Sequence, residues 1–281
     1  IRHGQIQIFF AYEFLKHDAV FDWCHKSSKT ENWIPISLRH ALDDIAHTRD
    51  ATSSSIMLNM GLEQSFTNLQ FVALSADAAK FGDHTFATML QSVQTDEARH
   101  AQIGEPLVRI MVENGRKEEA QKLVDIGFWR MWKQFSVLSG IGMDYYTPLE
   151  CREFSLKEFM EEWVIGQFGR TLVALGLELP WYWDILHEEI GTFHHSQQIG
   201  VYVYRALQWW RPIAAVSPEE RVWLEEKYPG WNETYGKCWD VVIENIRNGD
   251  YDKTVPPAPP LVCNMCGLEV AGGVGNLWEP V

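Results

Sequence analysis

The chain has 281 residues, 46% hydrophobic and 13% aromatic, which is ample for buried cores and too apolar for a disordered polypeptide. Its formal net charge of -14 argues against nucleic acid as the main partner, and it carries neither a run of 18 apolar residues nor a secretory leader pattern. A cytoplasmic protein is expected, with the odd and scattered Cys24, Cys151, Cys238, Cys263 and Cys266 reduced rather than paired.

In chain order, residues 1 to about 17 read as helix, with Ile6, Phe9, Phe10 and Phe14 at helical spacing. The opening Ile1-Arg2-His3 lacks a Met and starts directly in this pattern, so the chain reads as an internal fragment. A second helical stretch reaches Trp23, and Pro35 marks a helix start. From Ile36 to about Phe81 there is no proline and only Gly61, which predicts one very long helix distorted near Met60-Gly61. Gly82-Asp83 ends it, and the next helix runs to Glu113, with Pro106 as a bend.

Further helices are predicted over Arg116 to about Leu138, Ser155 to Leu175, Trp183 to Trp209, Pro218 to Lys227 and Asn232 to Asn248. Gly140-Ile141-Gly142, Gly176, Pro180 and Pro212 separate them. Ser217-Pro218-Glu219-Glu220 has the form of an N-terminal cap. Pro256-Pro257-Ala258-Pro259-Pro260 is a polyproline linker. No strand pattern stands out, so the expectation is an all-α core over residues 1–249, then a linker and the start of another module over 250–281.

Gln94-Thr95-Asp96-Glu97-Ala98-Arg99-His100 holds the chain's Glu-x-x-His. On a helix Glu97 and His100 fall on one face and can reach one metal ion. A four-helix bundle holding two irons uses such a pair from each of two helices and a lone Glu from each of the other two. Glu63 lies 19 positions before Gly82 and Glu97 lies 15 after it. In a hairpin turning at that glycine, both sit about 22 to 28 Å from the turn and can meet at one level. Leucines and phenylalanines crowd Glu63, so its carboxylate must face solvent or be held by a cation.

Arg2-His3-Gly4-Gln5 echoes Arg99-His100-Ala101-Gln102. Together with Gly61-Leu62-Glu63-Gln64-Ser65-Phe66-Thr67-Asn68, Gln94 to His100, Met143-Asp144-Tyr145-Tyr146-Thr147-Pro148-Leu149, Lys157-Glu158-Phe159-Met160, Pro180-Trp181-Tyr182-Trp183-Asp184 and Glu225-Glu226-Lys227-Tyr228-Pro229-Gly230-Trp231, these stretches resemble a known family. It is the α (large) subunit of the hydroxylase in bacterial multicomponent di-iron monooxygenases. The resemblance covers nearly the whole chain and is nearest the toluene and alkene (including isoprene) branch.

That resemblance implies a ferritin-like di-iron helical bundle with additional C-terminal helices. It implies His3 as a ligand of one iron, and Glu63, Glu97 and His100 as ligands of the other, in a carboxylate-bridged pair. Two further glutamates would lie upstream of Ile1. Arg2, Asp96 and Arg99 resemble residues that orient the ligands, Asn68 and Gln94 resemble polar neighbours of the metals, and Thr67 resembles the active-site threonine. Leu62, Phe66 and Phe71, and more weakly Gln7 and Leu42, resemble the substrate pocket. Leu62 stands where relatives often have phenylalanine, and Leu42 is smaller than the usual aromatic residue, so the pocket is reshaped.

The implied reaction is NAD(P)H-dependent insertion of one oxygen atom from dioxygen into an aromatic hydrocarbon such as toluene, benzene or phenol, with epoxidation of an alkene such as isoprene or propene as the alternative. No glycine-rich nucleotide or flavin loop is present, so NAD(P)H, flavin and Fe-S centres belong on separate components. Expected partners are β and γ hydroxylase subunits in an α2β2γ2 assembly, a small effector protein, and a ferredoxin or reductase. Two readings from other classes stand beside this one: an iron-oxidising or storage bundle, and a non-catalytic helical subunit. The apolar surroundings of Glu63 oppose the former, and the three potential ligands oppose the latter.

Acid-x-x-His also occurs at Asp22-His25, Asp44-His47 and Asp184-His187. His194-His195 could form a metal site but is expected to pack or hydrogen-bond, Glu118-Glu119 and Glu188-Glu189 to be solvated, and the tryptophans to be core and contact residues. Cys263-Asn264-Met265-Cys266 is half of a possible zinc site.

Overall fold

A computed structural model describes residues 33–47, 50–204 and 216–248, together with Gln5, 261–262 and 269–270. The predicted helices over residues 1–17 and up to Trp23 therefore lie outside the described residues except for helical Gln5, as do Arg2, His3, Gln7, Trp209 and the Cys263-x-x-Cys266 pair. The chain divides into two compact units, Ile1–Met131 and Trp132–Val281.

In the first unit, α1 spans Trp33–His47 and α2 spans Ala51–Ser55. The single helix expected from Ile36 to Phe81 is thus interrupted. Asp50 adopts extended geometry and its carboxylate accepts from the backbone N–H groups of Thr52 (3.1 Å) and Ser53 (3.2 Å), which starts a new helix. A π-helical segment, Ile56–Thr67, follows, and α3 spans Asn68–Lys80. The π-helical segment contains Met60-Gly61, where a distortion was expected.

Gly61 lies there because backbone crosses backbone. A Cβ on it would meet the Gly127 carbonyl carbon at 2.8 Å, and one on Gly104 would meet Met60 Cγ at 2.7 Å. The chain then turns at Gly82, with φ 78°. Asp83 caps α4, His84–Glu113, by accepting from the Phe86 N–H at 2.9 Å. Ile56, Met60, Phe66, Val93, Val108, Val124 and Phe128 are buried in this unit, and α4 packs along α3 and the π-helical segment. The next helix, α5, spans Lys117–Ile141 and its first part completes the unit.

In the second unit α5 runs through Gly140 and Ile141, where a break was expected, and passes into a π-helical turn, Gly142–Tyr146. Gly140 gives room rather than a stop, since a Cβ there would meet His194 Cγ at 2.5 Å. After α6 (Leu156–Phe159), a π-helical stretch Met160–Ile165 and α7 (Gly166–Ala174) complete the predicted 155–175 helix. The expected Trp183–Trp209 helix is instead α8, Trp183–Glu189, a turn, and α9, Phe193–Tyr204. The helix α10, Pro218–Lys227, starts at a capping box in which Ser217 and Glu220 bond reciprocally. A π-helical turn, Asn232–Gly236, and α11, Lys237–Arg247, follow.

The core of this unit includes Trp132, Leu156, Phe168, Tyr182, Leu224, Trp231 and Trp239. Four of the tryptophans predicted to be core residues are fully buried (Trp129, Trp132, Trp231, Trp239), whereas Trp163 and Trp181 are exposed. Glu189 departs from the expected solvated face: it is buried against the Lys133 ammonium at 3.1 Å. Removing both charges from water requires that pairing. Near the end, Leu261–Val262 (β1) and Glu269–Val270 (β2) form a two-residue antiparallel pair that no sequence pattern announced.

Candidate metal centre

Two facing stretches of the first unit bring Glu63, Glu97 and His100 together. Glu63 comes from the π-helical segment and the other two from α4. A π turn adds a residue to the helical circuit, and such insertions recur at functional sites. His100 Nδ1 lies 3.3 Å from Glu63 Oε1 and 3.7 Å from Glu97 Oε2. Each residue offers a ligand atom, and these atoms lie within 4.8 Å of one another.

The electrostatics favour a cation. Burial, and then the Glu97 carboxylate, push the Glu63 carboxyl up to about 7, with His100 opposing the rise. Glu63 Oε2 is a buried oxygen with no hydrogen-bond partner, and so is the neighbouring Gln64 Oε1. Two carboxylates and an imidazole with an orphaned oxygen fit a first-row transition metal such as iron. Glu63 is buried, and the His100 side chain is 46% exposed.

The remaining predicted residues fall as follows. Leu62 and Phe66 flank Glu63 and are buried, and Phe66 packs on Phe128 with ring centroids 5.0 Å apart. The Thr67 hydroxyl donates to the Glu63 carbonyl at 3.2 Å. Asp96 accepts from Arg99 Nη1 at 2.9 Å, and the Arg99 side chain is largely exposed. Gln94 and Phe71 are half-buried, Leu42 on α1 is exposed, and Asn68 opens α3.

His194-His195 packs and hydrogen-bonds, as the sequence reading expected, but that reading did not connect Asp144 to the pair. In the second unit Asp144, His194 and His195 are fully buried, and each offers a ligand atom within 4.8 Å of the others. Asp144 Oδ2 accepts from His194 Nε2 and from the Tyr228 hydroxyl, both at 2.6 Å, while its Oδ1 accepts from the Leu156 N–H at 3.0 Å. The His-His pair was visible in the sequence, but its acid stands 50 residues away and no local spacing links them.

Comparison with known proteins gives the family. The methane/phenol/alkene hydroxylase family matches residues 1–115. The chain is 40% identical over 278 residues to the alkene monooxygenase system's oxygenase component subunit alpha from Xanthobacter autotrophicus Py2, covering 99% of this chain and 55% of that protein. It is 27% identical to the oxygenase component of phenol 2-monooxygenase from Pseudomonas sp. CF600, covering 96% of this chain and 52% of the relative. The crystal structure of xenon-pressurized phenol hydroxylase from Pseudomonas sp. OX1 superposes with a TM-score of 0.76 at 24% identity, over 95% of this chain and 54% of that one, which shows the ferritin-like helical fold. The chain thus spans about half the length of these relatives. A likeness that extends over nearly all of this chain, and is strongest toward an α subunit, places it in the methane/phenol/alkene hydroxylase family as an α-type hydroxylase chain.

Proposed function

We propose that this chain is part of the oxygenating subunit of a multicomponent monooxygenase that inserts one atom of dioxygen into a small hydrocarbon, with alkene epoxidation as its reaction. The observation that carries the reading is the convergence of Glu63, Glu97 and His100 on one point beside buried Leu62 and Phe66. The choice of an alkene rests on the 40% identity to the alkene monooxygenase subunit, against 27% to the phenol enzyme. Hydroxylation of an aromatic ring is the second reading, and it rests on the latter relative.

In this reading Glu63, Glu97 and His100 hold one iron of a carboxylate-bridged pair, and His3 contributes to the other. When bound, the pair supplies redox equivalents for cleaving dioxygen, which a redox-inert ion could not. The protein's part is arrangement. Glu63 exchanges its proton for the cation, because a nearby positive charge favours the carboxylate. Leu62 and Phe66 exclude water from the reacting face and offer apolar contact to the hydrocarbon. The Thr67 hydroxyl lies one helical turn beyond Glu63 and is placed to hold or pass a proton once it leaves the Glu63 carbonyl. Asp96 and Arg99 balance charge beside the α4 ligands, Asn68 and Gln94 give polar contacts near the metals, and Phe71, Leu42 and Gln7 extend the pocket.

Electrons come from NAD(P)H through flavin and Fe-S centres on a separate reductase and ferredoxin, and β, γ and effector subunits complete the assembly. The names of the relatives, which are components and subunits of oxygenase systems, support that division. Among the described residues, no helix is long and apolar enough to cross a membrane.

The test uses the full-length subunit with its partners, reductant and dioxygen, offered propene and toluene in competition. Propene oxide in excess over cresols supports the alkene reading. Cresols in excess favour the aromatic one, and no product from either hydrocarbon overturns the oxygenase proposal.

A further inference from the structure

The second unit buries a carboxylate that no lysine or arginine compensates among the described residues. Asp144 is fully buried, and among the described residues its ionic partner is His194. The nearby Arg152 is committed elsewhere, to Glu220 at 2.6 Å. Such a carboxylate calls for a cation within its own cluster, either a proton on His194 or a metal ion.

The donor set suits a metal. His194 and His195 stack with ring centroids 3.9 Å apart, and His194 Nδ1 and His195 Nε2 are both buried without a hydrogen-bond partner. A donor or acceptor left unpaired in the interior is costly, and a cation bound at His195 Nε2 would satisfy that atom. His195 offers its unpaired Nε2 as a donor atom. His195 also donates to the Gly191 carbonyl, and its Nδ1 lies 2.6 Å from the Tyr145 hydroxyl. Metal-binding histidines are oriented by just such a second contact.

Two local distortions build the cluster. Asp144 and Tyr145 come from the π-helical turn Gly142–Tyr146, while Tyr235 comes from the turn Asn232–Gly236 and packs on His195 at 5.0 Å between centroids. The Gly140 hydrogen leaves the space that the His194 ring occupies.

We infer that Asp144, His194 and His195 form a buried site for a divalent transition metal of the zinc class, separate from the Glu63/Glu97/His100 cluster and structural in role. Two imidazoles and a carboxylate are zinc donors, and the Tyr228 hydroxyl, 2.6 Å from Asp144 Oδ2, stands beside them as a fourth donor atom. With every donor buried, there is no open position for substrate or water. The ion enters as the unit folds, displacing the proton shared by Asp144 and His194.

The test uses the full-length subunit carrying Glu63→Gln and Glu97→Gln, which remove the other metal cluster, and Cys263→Ser and Cys266→Ser, which remove the possible thiolate zinc site, produced in zinc-supplemented medium. The measurements are zinc content and zinc X-ray absorption. The expected result is about one zinc per chain that survives dialysis against chelator, with a shell of nitrogen and oxygen neighbours that includes imidazole. Adding His195→Gln should lower the content at least about tenfold while circular dichroism shows the helices retained. Zinc far below one per chain, sulfur in the shell, or zinc undiminished by His195→Gln would overturn the inference. The first two readouts need no substitution within the cluster, so they decide the matter even if His195→Gln fails to fold.

Discussion

The two units each gather carboxylates and imidazoles, yet they treat them in opposite ways. In the first, His100 lies 3.3 Å from Glu63 and 3.7 Å from Glu97, Glu63 keeps an oxygen without a partner, and the His100 side chain is 46% exposed. In the second, both Asp144 oxygens are engaged, by a backbone N–H, a tyrosine and a histidine, and the whole cluster is buried. The first arrangement is unfinished among the described residues, with an orphaned carboxylate oxygen left for a cation. The second is closed, as a structural tie requires. Burial, rather than ligand type, separates the two.

The largest effect should come from the open cluster. Glu97→Gln removes a ligand outright, so iron content and turnover should fall by more than the roughly 10- to 100-fold that loss of an outer partner costs. The fold should survive, because Glu97 is not in the core. Iron and activity that persist in Glu97→Gln would erase the distinction between the clusters.

The closed cluster should answer in stability instead. Asp144→Ala leaves the Leu156 N–H, the Tyr228 hydroxyl and His194 without their acceptor, at about 1 to 3 kcal/mol for each unsatisfied group. Thermal or denaturant unfolding should register a loss of at least about 3 kcal/mol. A change under about 0.5 kcal/mol, the range of an ordinary surface substitution, would mean that the network is incidental.

Gly61→Ala sharpens the comparison from the backbone side. Its methyl would press on the Gly127 carbonyl carbon at 2.8 Å, so the π-helical segment must shift and Glu63 with it. Overpacking costs about 1 to 3 kcal/mol. The displaced Glu63 should weaken iron binding more than the stability loss alone explains, which metal titration at matched folded fraction can measure.

The smallest effect is a pH dependence confined to the open cluster. In the metal-free chain the Glu63 carboxyl is raised from 4.5 to about 7, so the folded state holds a proton that the unfolded state releases. This contribution to stability is fully present below about 4.5 and is lost as the pH rises through about 7. Denaturant midpoints of the metal-free protein should therefore fall between these pH values, and Glu63→Gln should flatten that slope.

Much of the open cluster was legible in the sequence because helical spacing is local. Glu97 and His100 stand one turn apart, and a single glycine with positive φ sets the hairpin that faces Glu63 toward them. The closed cluster was illegible because Asp144, His194 and Tyr228 are joined across 50 and 84 residues, a relation no periodicity encodes. Helix identity was readable for the same local reason, but two boundaries were not. Asp50 restarts a helix through a side-chain cap in a stretch that has no proline or glycine. Gly140 reads as a breaker, yet serves to admit the His194 ring.

The central claim is that Glu63, Glu97 and His100 hold the metal that activates dioxygen for attack on a hydrocarbon. The most direct measurement is isotope incorporation into propene oxide under labelled dioxygen, with the full-length subunit and its electron supply, comparing the native protein with His100→Gln. The account predicts one labelled oxygen per epoxide from the native protein and none formed by His100→Gln. Unlabelled product, or equal labelled product from both proteins, would contradict it.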